Sequence, residues 1–307
     1  MKNGIIEITK KEMLELEQEF NYSDMIEKYL NYIDVSKNSE KTYHNALKQF
    51  VRYIYLNDIK TPTREDIIQY KEELKKYNKA TTVNLYLVAI KNFYKWLEYE
   101  GITKDITKNI KLIKVNNEHT KQALTLEQIE NMINNCKDIR EKVIIVLTFS
   151  CGLRINELVN IELQDFKEKN GKTLLYLLGK GRDYKQDFVI VPDNIVTIIK
   201  KYVKEYNIKD YLFISTSNNN KGGKLTTKTI RFIVKNILKK CDITSNEYSF
   251  HSLRHSFATE SIKCGIDIRE VSQALRHKNI QTTTIYIHDL EKTNNKCSNS
   301  VANLLNI

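Results

Sequence analysis

The chain has 307 residues and a formal net charge of +11, length enough for two domains with sizeable cores, which excludes tiny peptide scaffolds. Nine glycines and two prolines are far below ordinary usage, so helices should dominate and turns must draw on Asn, Asp, Ser and Lys. The positive balance favours a polyanionic partner, nucleic acid or an anionic membrane surface, although a Lys-, Asn- and Ile-rich text of the kind AT-rich coding produces assigns part of that charge to solvated surface.

No apolar run approaches the roughly 20 residues of a bilayer span, and the opening MKNGIIEITKKEM lacks the apolar core of a signal peptide. A cytoplasmic protein without a membrane partner is expected. The five cysteines, Cys136, Cys151, Cys241, Cys264 and Cys297, are scattered with no CxxC pair, which points to free thiols. No cofactor and no metal are expected.

Residues 1–20 read as a short mixed-charge leader. From Ser23 the apolar positions Met25, Ile26, Tyr29, Leu30 and Ile33 recur at helical spacing, and Ser39 is placed to cap a second helix through Tyr43, Leu47, Phe50, Val51 and Ile54. TRED at 63–66 has the form of a capping box with Asp for Glu, opening a helix through Ile67, Tyr70 and Leu74. A fourth helix is expected from Thr81 or Thr82 through Val83, Leu87, Ile90, Tyr94 and Leu97 to a stop at Gly101. Its start, with Lys79, Thr81 and Thr82, could receive a phosphate, though capping alone explains the threonines.

The Lys-, Asn- and Thr-rich text after Gly101 loses periodicity and reads as a basic linker. A helix over TLEQIENMINNC follows, then the apolar VIIVLTF at 143–149 as a buried helix, with Gly152 making a sharp turn before Arg154. TLLYLL at 173–178 and QDFVIV at 186–191 read as two strands joined by GKGRDYK, with Lys180 at the tip. Helices resume over NIVTIIKKYVKEY, TTKTIRFIVKNILKKC and the run HSLRHSFATESIKCGIDIREVSQALRHKNIQTTTIYIH at 251–288.

Three places carry chemistry: Arg154 with Glu157, Lys180, and the ordered set His251, Arg254, His277 and Tyr286. Guanidinium forks match phosphate oxygens and can neutralise charge on a phosphodiester under attack. A hairpin ammonium can protonate a departing oxygen, an imidazole can move protons near neutral pH, and a tyrosine hydroxyl can attack and stay attached. Each residue alone has a plain reading as a cap, a surface lysine or one of 18 tyrosines; the joint order is the signal. His251 and His255 stand four apart, but HSLRH lacks the glutamate of a zinc HExxH helix, so His255 reads as structural.

These residues resemble the tyrosine recombinases, the phage integrase family, close to the Xer-like and transposon members, across nearly the whole chain. GLRINEL resembles the box that places Arg154 and Glu157, GKG the hairpin Lys180, HSLRH the box of His251 and Arg254, RH at 276–277 the second histidine, and TTTIYIH the nucleophile Tyr286. The resemblance implies a mainly helical protein with a small β-hairpin or sheet, in which a SAM-like core-binding domain and an α/β catalytic domain clamp DNA. The division expected is a leader at 1–20, a core-binding domain at 21–104, a linker at 105–122, a catalytic domain at 123–292 and a docking tail at 293–307.

It further implies strand cleavage to a 3′-phosphotyrosine and rejoining through a four-way junction, without ATP or metal. His251 would assist proton transfer, His277 would bond the phosphate, and Glu157 would orient its neighbours. The implied partners are a double-stranded recombination site, further copies of the chain or a paralogue in a tetramer on DNA, and an accessory DNA-bending protein, in a bacterial cytoplasm at the nucleoid. A catalytically inactive DNA-binding regulator and a type IB topoisomerase-like relaxing enzyme are the alternatives. Two departures stand out: Arg276 occupies a position where the family usually has Gly, able to alter the backbone or add a phosphate contact, and Glu260 follows FAT where His is common.

Overall fold

The computed structural model describes residues 21–115, 122–179, 184–217, 220–277 and 279–284, and the chain divides into two compact units, Met1–Glu118 and His119–Ile307. The leader at 1–20, Lys180, Tyr286 and the tail at 293–307 lie outside the described residues.

Among the described residues of the first unit there are four helices: α1 (Tyr22–Tyr32), α2 (Lys37–Leu56), α3 (Arg64–Tyr77) and α4 (Ala80–Tyr99). The capping box is present as read, with Thr63 Oγ1 accepting from the Asp66 N–H and Asp66 accepting from the Thr63 N–H. The cap of α2 is Ser36 rather than Ser39, because the Ser36 hydroxyl accepts the Ser39 N–H at 3.3 Å and so places Ser39 inside the first turn. Helix α4 starts one residue before Thr81, after Lys79 as N-cap with no side-chain cap, and ends ahead of Gly101 in the left-handed region at φ +71°.

The stripe Val83, Leu87, Ile90, Phe93, Tyr94 and Leu97 is buried, and α4 packs on α1, α2 and α3 along it. Each such side chain contributes roughly 1.5–3 kcal/mol by leaving water. The text after Gly101 follows this unit as far as Ile113: Asn84 exchanges two hydrogen bonds of 2.8 Å with the Ile113 backbone, and Lys91 donates to the Ile110 carbonyl at 2.9 Å.

In the second unit α5 (Leu126–Asn134) and α6 (Ile139–Cys151) precede a short helix α7 (Ile155–Val159). Residues 143–148 of α6 are buried all round, the pattern of a helix enclosed by its neighbours, and α8 (Asp193–Glu205), α10 (Phe250–Lys263) and strand β3 (Lys185–Val191) pack against it. The sheet is antiparallel, in the order β1 (Phe166–Lys169), β2 (Lys172–Leu178) and β3 (Lys185–Val191). Leu175 and Leu177 with Val189 and Val191 face the core. The expected pair of strands is β2 and β3; β1 is an addition, a charged FKEK strand with no apolar alternation, joined to β2 through Asn170 and Gly171, both at positive φ. Helices α9 (Thr227–Lys240) and α11 (Ile268–Ala274) belong to the same unit, and residues 281–284 are helical.

Among the described residues no helix is long and apolar enough to cross a membrane, and no group of His, Cys, Asp and Glu is suited to hold a metal ion.

Candidate active site

The site begins where α6 ends. Gly152 caps α6 in the left-handed conformation at φ +56°, and the turn it makes delivers Arg154 to the start of α7. A Cβ at Gly152 would meet Phe257 Cδ1 at 2.6 Å and Leu275 Cδ2 at 3.0 Å, so α6, α10 and the end of α11 converge there more closely than any other residue allows. Its carbonyl accepts from the guanidiniums of both Arg254 and Arg276. Gly152→Ala is therefore expected to lower unfolding stability by about 1–3 kcal/mol through strain and overpacking, read as a lowered thermal midpoint.

Three residues beyond Arg154, on the first turn of α7, lies the hub. Glu157 is buried, with 2% of its side chain exposed, and accepts the Arg154 N–H at 2.7 Å and Arg154 Nη1 at 2.8 Å. Arg276 holds the same carboxylate through Nε at 3.2 Å and Nη2 at 2.7 Å, and Arg254 Nη1 stands 4.0 Å away. Burial pushes the Glu157 carboxyl up, but the hydrogen bond and charge of Arg276, followed by those of Arg154, outweigh it and hold it below the usual 4.5. Three guanidiniums against one carboxylate leave the cluster cationic, the balance an anion requires.

Arg254 is 5% exposed on α10, and its fork donates to the carbonyls of Gly152 and Leu275, tying the loop after α6 to the end of α11. Arg154 reaches across to the Arg276 carbonyl at 3.0 Å and keeps 29% of its side chain exposed. The sequence readings of Arg154, Arg254 and Glu157 thus converge from α7 and α10 on one centre.

His277 follows Arg276 and joins the centre. Its Nδ1 pairs with Thr283 Oγ1 at 2.8 Å, and Thr283 is fully buried. Burial first, then the charges of Arg254, Arg154, Arg276 and His255, hold His277 down to about 4, so its ring is neutral at physiological pH. His251 is exposed on the first turn of α10, and His255, half-buried one turn on, contributes charge near His277.

Two members of the expected set, Lys180 and Tyr286, lie outside the described residues. The strands flanking Lys180 are anchored: Lys185 Nζ bonds Asp165 Oδ2 at 2.6 Å and the Asn160 carbonyl at 3.0 Å. Lys79 and Thr81 are exposed and Thr82 half-buried at the start of α4, in the other unit.

Arg276 differs from expectation. Its backbone is left-handed at φ +54°, the geometry a glycine would adopt with least cost, yet its side chain turns inward to Glu157 with 6% exposed, rather than outward to a phosphate. Glu260 pairs with Lys263 at 2.8 Å. The roles of Thr283 and of the Arg276 fork were not read from the sequence; the only signal was the threonine run ahead of Tyr286.

The chain is similar to known proteins along most of its length. The phage integrase family model matches residues 122–293, and the model of the phage integrase N-terminal SAM-like domain matches residues 26–101. The tyrosine recombinase XerA of Pyrococcus horikoshii is 30% identical over 276 residues, covering 88% of this chain and 90% of the relative. Tyrosine recombinase XerD of Listeria monocytogenes is 28% identical over 289 residues, covering 87% of this chain and 94% of the relative. Among solved structures, the XerH recombinase in a post-cleavage complex with its difH substrate has the same fold, with a TM-score of 0.71 and 21% identity over 99% of this chain and 92% of that one. A cationic centre assembled from the turn after α6, α10 and the end of α11, under a family model that spans those elements, makes the chain a member of the phage integrase family, the tyrosine recombinases.

Proposed function

We propose that the chain is a site-specific DNA recombinase that cleaves and rejoins strands through a covalent 3′-phosphotyrosyl intermediate. The observation that carries this reading is that Arg154 and Arg254, about 100 positions apart in the chain, meet at Glu157, with His277 in the field of both guanidiniums. Arg154 and Arg254 neutralise the charge that builds on the non-bridging oxygens of a phosphodiester under attack. With Nδ1 of His277 occupied by Thr283, Nε2 is the ring nitrogen left for a phosphate oxygen.

In the step proposed, the Tyr286 oxygen forms a bond to phosphorus as the bond to the 5′ oxygen breaks. Lys180 supplies the proton that the departing 5′ oxygen takes, and His251 assists transfer of the phenolic proton. Rejoining is the reverse, with a 5′ hydroxyl attacking the phosphotyrosine and releasing Tyr286. One phosphodiester is exchanged for another in each step, so no ATP is consumed, and the guanidiniums take the place of a metal. The duplex is recognised through its backbone, with Lys79, Thr81 and Thr82 at the start of α4 offered to phosphate. Two duplexes and four protomers, of this chain alone or with a paralogue, make the working complex, in the cytoplasm at the nucleoid and with an accessory DNA-bending protein.

The test is a nicked duplex that traps the cleaved state, built on each sequence the protein selects from fragmented DNA of its source. Wild type is expected to form an adduct stable to denaturing gel electrophoresis, and Tyr286→Phe none. Failure of wild type on every bound sequence sinks the enzymatic reading; an adduct in Tyr286→Phe moves the nucleophile elsewhere.

A further inference from the structure

Arg276 does more than fill a turn. Its Nε and Nη2 hold both oxygens of Glu157, Nη2 also donates to the Gly152 carbonyl at 3.0 Å, and Nη1 donates to the Ala274 carbonyl at 2.5 Å. All of this is kept although the backbone at Arg276 is left-handed, a conformation unfavourable for any residue with a Cβ.

Of the three guanidiniums in the centre, Arg154 is the one that reaches solvent, with 29% of its side chain exposed against 6% each for Arg254 and Arg276. Two anchors orient it: the Glu157 carboxylate, and the backbone carbonyl of Arg276 at 3.0 Å. Residue 276 therefore sets both, one through its side chain and one through its own carbonyl. We infer that Arg276 is a positioning residue of the cleavage centre, which locks Glu157 and thereby fixes the orientation in which Arg154 meets the scissile phosphate.

This rests on the recombinase reading above. Without the Arg276 fork, Glu157 is drawn toward Arg254, 4.0 Å away, and Arg154 follows the carboxylate that holds it. The centre also loses one positive charge. Arg276 is one of four cationic or ionisable groups facing His277, the others being Arg254, Arg154 and His255, and these with burial hold His277 down to about 4. Removing one of them lets His277 take its proton at higher pH.

Arg276→Gly separates the role from a structural one, because glycine keeps the carbonyl, suits the left-handed backbone and removes only the fork. The expected result is a fall of roughly ten- to a hundredfold in single-turnover adduct formation, the size that misplacing a catalytic group produces, with duplex affinity within about threefold of wild type. In the free full-length protein, the His277 imidazole followed by NMR should titrate at higher pH than in wild type. Arg276→Lys restores the charge but not the two-pronged hold. It should return the His277 titration towards wild type and leave the cleavage rate low. Because Arg276 acts through Glu157, a variant carrying both Arg276→Gly and Glu157→Gln should cleave no more slowly than Glu157→Gln alone.

Wild-type cleavage in Arg276→Gly with His277 unmoved would overturn the inference, as would losses that multiply in the double variant, since these place Arg276 on the phosphate itself. Should Arg276→Gly not fold, Arg276→Lys decides: a wild-type rate overturns the inference and a low rate with normal melting supports it. If wild type forms no adduct on any bound sequence, the recombinase reading fails, while the His277 titration still reports whether Arg276 sets the cluster.

Discussion

Replacing Arg254 with lysine is expected to slow covalent adduct formation by about two to three orders of magnitude, the loss typical of removing one preorganised donor from a developing oxyanion, while duplex affinity changes little. Lysine keeps the charge, so long-range attraction to DNA survives. What it cannot keep is the planar fork. Arg254 donates from Nη1 to the Gly152 carbonyl and from Nη2 to the Leu275 carbonyl, two carbonyls on separate segments, and at 5% exposure it has no water to substitute for either. An ammonium reaches only one of them; the Gly152 carbonyl keeps the Arg276 donor, so the cost, about 1–3 kcal/mol, falls on the Leu275 carbonyl when it loses the Arg254 fork. The segment that ends at Leu275 also carries Arg276 and His277, so slack at this tie displaces the rest of the centre. Arg254→Ala adds loss of the charge and should neither cleave nor retain wild-type stability. Single-turnover cleavage, duplex binding and urea unfolding of the three proteins check this together, and an Arg254→Lys rate within about threefold of wild type would count against the centre as described.

How far the sequence carries differs by residue, and the reason is distance along the chain. Thr63 and Asp66 are legible as a cap because their bonds close within three residues, and the stripe on α4 because helical spacing is local. Ser36 was passed over in favour of Ser39, a competition between two equally good caps three residues apart that only the turn geometry decides. Strand β1 was missed because FKEK has no buried alternation; the Asn170–Gly171 pair ahead of β2, a favoured hairpin turn, was the signal available. In the site, Arg154, Arg254 and His277 were legible by resemblance. The partnership of Arg276 with Glu157 spans 119 positions, and no local pattern announces it. Lys180 and Tyr286 rest on the motif text, and the trapping experiment tests the role of Tyr286.

Glu157→Gln is expected to cost about 3–5 kcal/mol of unfolding stability at neutral pH, because it removes the buried carboxylate that Arg154 and Arg276 hold. The isosteric amide also fails chemically: Glu157 accepts from Arg154 and Arg276 at both oxygens, and an amide would turn a donor toward two of those N–H groups. The pH dependence separates charge from shape. Glu157 in the folded protein is held below its ordinary 4.5, so its contribution is fully present above that value and is lost as pH falls through the depressed folded value. The gap in stability between wild type and Glu157→Gln should therefore be widest near neutrality and close as the solution is acidified below 4.5. His277, neutral in the folded protein down to about 4 against an ordinary 6.5, adds a separate loss of stability as pH falls across that window. Because His277 is present in both proteins, that loss should appear in both curves and leave the closing of the gap to Glu157. Urea unfolding from pH 7 to pH 3 measures the difference directly; a gap that stays constant with pH would show that Glu157 contributes shape and hydrogen bonds but not charge.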